Sequence, residues 1–162
     1  MGCGSRQVPM RWSFPVNRFL LALAGLLTAV LIVSPARAVV ITEIHYHPAP
    51  GFEALEFVEI SSDTTTPEDI GGYRFSGGIT YQFPPGTILT KNQKLVVCAD
   101  REAIIERYGL AGALVFGNFI GRLDGSGERL ELANDVGIPL QSIRYSDEGK
   151  WPTAPDGTGH SL

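Results

Sequence analysis

The chain has 162 residues, 44% of them hydrophobic, and a formal charge of −4. That is the size of one domain and the composition of an ordinary globular protein. Nine of its thirteen basic residues and all seventeen acidic ones follow Ala38, so residues 39–162 carry −8. A surface this acidic, with its basic residues scattered, repels phosphate backbones and argues against nucleic acid as a partner.

The first 38 residues differ in kind from the rest. Arg6, Arg11 and Arg18 precede "FLLALAGLLTAVLIV", Phe19 to Val33, and Ala36-Arg37-Ala38 follows. A basic start, an apolar stretch and a small-residue A-x-A site read as a secretory signal peptide over 1–38. The expected product is secreted or held in the cell envelope. The alternative is an uncleaved anchor, the one route by which the chain would meet a membrane. Fifteen apolar residues are short for a span of roughly 20.

Residues 39–162 read as short strands between turn signals. "VVITEIHY" stops at His47-Pro48, and "EALEFVEIS" stops at "SDTTTPED". "IGGYRFSGG" and "ITYQFPPGTIL" are broken by Gly77-Gly78 and by Pro84-Pro85-Gly86. "KLVVCA" follows. Its Cys98 is alone once Cys3 leaves with the signal, and in that apolar setting it reads as a small buried hydrophobe. In "DREAIIERYG" Asp100 is a good N-cap and Gly109 a good C-terminal stop, so a two-turn helix interrupts the strands. "ERLELAND" alternates cleanly, Leu130 and Leu132 on one face, Arg129 and Glu131 on the other. "PLQSIRYSD" follows, and "GTGHSL" reads as the beginning of one more strand. Many short strands with Gly/Pro turns predict a β-sandwich or barrel.

In chain order, "VVITEIHYHP", "EALEFVEI", "DIGGYRFSGGITYQFPPGTIL", "KLVVCAD", "NFIGRLDGSGERLELANDVG" and "YSDEGKWPTAPDGTGHSL" together resemble the bacterial, exported kind of lamin-tail domain. The resemblance covers nearly all of 39–162. It rests most on the Glu43-x-x-Tyr46 region, Glu56-Phe57-Val58-Glu59 and "SGERLEL". It implies an all-β, immunoglobulin-like β-sandwich with one short helix. It also implies a non-catalytic binding or scaffold module with no cofactor, whose partners are proteins or cell-surface polymers. Domains similar to it often belong to larger exported proteins, and they usually continue past this point with a closing strand. The chain is therefore expected to be such a module, and either to be the N-terminal piece of a longer protein or to dock its open edge on something. The rod of nuclear lamins, which are distant relatives, has no heptad counterpart here.

A few residues could carry chemistry. Glu43, His45 and His47 alternate, and on a strand such residues share a face, which permits one metal ion between them. The alternative function is therefore a metal-dependent exported hydrolase or a metal-binding accessory domain. The favoured reading is a solvated face whose last histidine bonds the turn before Pro48. Glu56 and Glu59 are three apart and face opposite sides, so a converging carboxylate pair is not expected. A buried glutamate anchoring a loop through backbone N–H groups is. Asp124, Ser126 and Glu128 alternate in a Gly-rich loop without EF-hand spacing, which reads as a tight turn. No nucleophile elbow is present. "SDEGKWPTAPDGTG" is a polar loop with one aromatic. Trp151, Asp147 and Asp156 are its binding candidates, although Trp151 is favoured as a cap on the end of the core.

Overall fold

The computed structural model describes Met1, residues 39–152, Gly157 and residues 160–162. The segment read as a signal peptide, and Asp156, lie outside the described residues. Two sheets face each other. The first has four strands in the order β1 (Val39–His45), β2 (Phe57–Ser62), β7 (Lys94–Cys98) and β8 (Val115–Gly117). The second has five, in the order β11 (Pro139–Arg144), β10 (Arg129–Ala133), β4 (Arg74–Ser76), β5 (Ile79–Gln82) and β9 (Ile120–Gly121). A two-stranded ribbon joins β3 (Glu68–Asp69) to β6 (Ile88–Leu89). This is an immunoglobulin-like β-sandwich with a single helix, α1 (Arg101–Tyr108), among the described residues.

Period-two alternation fills the space between the sheets. Ile44, Val58, Ile60, Leu95 and Val97 come from the first sheet; Phe75, Ile79, Leu130 and Leu132 meet them from the second. Leu130 and Leu132 are fully buried while Arg129 is exposed, as the alternation in "ERLELAND" demands. β7 is buried on both faces, so it reads as a continuous apolar run. Val96 and Cys98 point away from the main core, into a second cluster with Leu55, Phe57, Ile104 and Val115. Helix α1 covers that cluster. Its N-cap Asp100 accepts from Glu102 N at 3.0 Å and Ala103 N at 3.1 Å. Gly109 ends it at φ 64°, a conformation that costs glycine little. α1 lies on the crossover that lets β8 run parallel to β7, because a parallel pair cannot be closed by a tight turn.

Two sequence expectations need redrawing, and three strands lie outside any of them. "EALEFVEIS" is not one strand: Glu53–Leu55 is a 3₁₀ turn, and β2 starts at Phe57. "ITYQFPPGTIL" is two strands, β5 and β6, parted by the Pro-Pro-Gly turn. β6 pairs outside both large sheets. β3, β8 and β9 have two or three residues each, too short to show a period.

The last residues join the first sheet. Leu162 N donates to Ile44 O at 2.9 Å and Ile44 N to Leu162 O at 3.0 Å, the reciprocal pair of an antiparallel ladder. The final residue of "GTGHSL" thus stands beside β1, and residues 160–162 form no strand of their own. Nearby, a register shift between Ile41 and Glu43 bulges β1 at Thr42. There the Gln141 side chain of β11 accepts from Ile41 N at 2.6 Å, an amide standing where a neighbouring strand's carbonyl would be. Among the described residues no helix is long and apolar enough to cross a membrane.

Candidate functional site

One end of the sandwich is built around two carboxylates, the buried Glu56 and the half-buried Glu128. Glu56 sits between the 3₁₀ turn and β2 and is 2% exposed. Its carboxylate accepts from Leu123 N at 3.0 Å and Arg122 Nε at 3.2 Å. Burial pushes the Glu56 pKa up, and the Leu123 N–H and the Arg122 charge pull it partly back. The anchoring glutamate expected from the sequence is therefore Glu56. Glu128 accepts from Asp124 N at 3.1 Å and from the Tyr145 hydroxyl at 3.0 Å. Burial, and then the Glu128 charge, push the Tyr145 phenol pKa up. Asp124 accepts from the hydroxyl and the backbone N–H of Ser126, which together hold its pKa below the usual carboxylate range. The oxygens of Asp124 and Glu128 thus serve the loop's own N–H and O–H groups, as in the tight turn expected there. Residues 122–126, Glu128, His47 and Asp147 enclose an open cavity of about 620 Å³.

A second hollow lies on the outer face of the first sheet. Glu43 stands opposite Glu59 in the β1–β2 register. Glu59 takes Lys94 Nζ and Thr42 Oγ1, both at 2.7 Å, and the Lys94 pKa rises. Glu43 accepts from Ser161 Oγ at 2.5 Å. His45 is 3% exposed and its ring lies 5.2 Å from that of Phe57. Its Nδ1 is 2.9 Å from the Leu55 carbonyl oxygen. A carbonyl only accepts, so Nδ1 carries the proton and Nε2 presents a lone pair. That Nε2 is buried without a hydrogen-bond partner among the described residues. Burial lowers the His45 pKa, against smaller upward pulls from the Leu55 carbonyl and Glu43.

The sequence candidates therefore divide. Glu43 and His45 line one hollow together with Phe57, Tyr108, His160 and Ser161. His47 lies beyond the end of β1, where the two-residue period lapses before Pro48, and it lines the other cavity instead. Among the described residues, no three of His, Cys, Asp and Glu come together in a group that could hold a metal ion. Glu56 and Glu59 do not converge. Asp147 borders the loop cavity. Trp151 is 36% exposed. Cys98 is fully buried, donates to Phe116 O at 3.2 Å, and has its thiol pKa pushed up to about 12, chiefly by burial. Sequence reasoning passed over Arg122, Tyr108, Tyr145 and His160. Each reaches its site through a long-range packing contact that leaves no local pattern.

No curated protein matches the chain. The Lamin Tail Domain family matches residues 33–147, most of the chain and nearly the whole sandwich. Its immunoglobulin-like, non-enzymatic fold agrees with the two facing sheets and with anchoring carboxylates that hold loops in place. On both counts, the chain belongs to the lamin tail domain family.

Proposed function

We propose that this chain is an exported lamin-tail module that binds a protein or a cell-surface polymer without transforming it. The observation that carries the reading is the loop cavity at one end of the sandwich. Its walls are held by internal bonds through Glu56 and Glu128, and the polar segment with Asp147 and exposed Trp151 lies beside it in sequence. Rigid loops on a β scaffold suit recognition because little ordering is left to be done on binding. Export rests on the basic, apolar and A-x-A order of residues 1–38. Membership of a larger exported protein rests on the family resemblance.

Expression in a secreting host tests both halves. The released chain is expected to begin at Val39 by intact-mass measurement. Replacing Asp147 and Trp151 by Ala should weaken retention on the producing cell's surface about tenfold, with an unchanged melting midpoint. A full-length chain kept inside the cell sinks the export half, and a variant retained like the original sinks the loop site.

A further inference from the structure

The hollow beside α1 has a chemistry of its own, and it is independent of where the protein acts. Three adjoining hollows of about 200, 210 and 190 Å³ share Tyr108. His45 lines two of them, and so does Glu43. Together they form a groove between β1 and the C-terminal end of α1. In the third hollow the wall is apolar and aromatic, with Phe57, Ile104 and Leu110 below and the 45% exposed Tyr108 at the lip. The Tyr108 ring meets Phe57 edge-on at 6.1 Å.

The polar groups that β1 and β2 bring to this groove are acceptors. His45 cannot rotate its proton to Nε2 without breaking the Nδ1–H bond to Leu55. Its lone pair is therefore a fixed acceptor, left unmatched inside the protein. Such a group weighs against the folded state unless something donates to it. Glu43 brings a carboxylate with several lone-pair directions, of which Ser161 uses one. Glu59 adds a second carboxylate, shared with Lys94. One cationic group, Arg107, stands at the far end by Phe52, and the His160 ring lies beside Ser161. A ligand matching this lining offers hydrogen-bond donors and positive charge at its head, and an aliphatic stem.

We propose that this groove binds a primary ammonium on an aliphatic chain, such as a partner's lysine side chain, through His45 Nε2 and Glu43, with Tyr108 and Phe57 as the wall. The ammonium has three donors and no acceptor, so it fits a lone pair and a carboxylate together. Tyr108 adds a ring face for the cation, and the stem lies along Ile104 and Leu110.

The test is a titration of the purified, ¹⁵N-labelled chain with N-acetyl-lysine-N-methylamide, following the ring nitrogens of His45. The norleucine analogue, which keeps the stem and lacks the ammonium, is the control. The expected result is a saturable movement of the Nε2 resonance with the lysine compound only. Glu43→Gln should weaken binding about tenfold, the loss of one charge-assisted bond. Tyr108→Ala, at a half-exposed position, should weaken binding with the melting midpoint preserved. An equal response to the norleucine compound would mean a merely apolar groove and would overturn the proposal. So would a resonance that moves with Zn²⁺ and not with the amine, or one that moves with neither, as when a fixed water serves Nε2.

Discussion

At the scale of single residues, the buried polar groups set the behaviour of the domain. Glu56 holds Leu123 by a backbone bond across 67 positions of sequence. Glu56→Ala leaves that N–H buried without its acceptor and should cost about 1–3 kcal/mol, read as a lower urea midpoint at unchanged slope. His45 makes stability depend on pH. Its folded pKa lies below the ordinary 6.5, so the unfolded chain takes up the proton first as pH falls. The contribution is whole above 6.5 and drains away as pH drops through the folded value. His45→Gln should flatten that part of the profile, and a variant with the same fall in melting midpoint between pH 7 and 5 would refute the assignment. Glu56, with its raised pKa, works the opposite way at lower pH. Its protonated form is the better tolerated when buried, so its contribution is whole below the ordinary carboxylate value and is lost as pH rises through the folded one.

At the scale of elements, local chemistry and long-range pairing part company. α1 was legible in full because its ends are local: Asp100 bonds N–H groups two and three residues on, and Gly109 turns left-handed. Asp100→Ala should cost about 1 kcal/mol by thermal melting and fray the first turn in amide exchange. β1, β7, β10 and β11 were legible because runs of five to seven residues are long enough to make a pattern. β8 and β9 were not, since two or three residues carry no period and are placed by partners elsewhere. The site followed the same rule. Glu43 and His45 share a hollow because β1 is regular between them. His47 parted from them because the strand ended first, and Tyr108 was added by the docking of a helix.

At the scale of the whole molecule, the sandwich is tied together at the edge of β1. Leu162 packs against the main core and pairs with Ile44, Ser161 reaches Glu43, and Gln141 reaches Ile41. Removing residues 157–162 strips the bonds of Leu162 and Ser161, leaves that of Gln141, and uncovers the edge of β1 near Ile44. The shortened chain should lose about 1 kcal/mol in denaturant, a fraction of what a fully buried leucine contributes, since Leu162 is half-buried. It should also self-associate with rising concentration in sedimentation, because a bare strand edge templates pairing. A shortened chain that stays monomeric and equally stable would show that the tail does not seal this edge.

The pairing of Leu162 with Ile44 also has a consequence in time. The two residues are 118 positions apart, and a ribosome delivers them in order at about 5–20 residues per second. β1 therefore emerges on the order of 10 s before its last neighbour exists. For that interval a newborn chain carries an unfinished strand into a crowded compartment. The protein is most vulnerable to capture by the wrong partner while it is still being made.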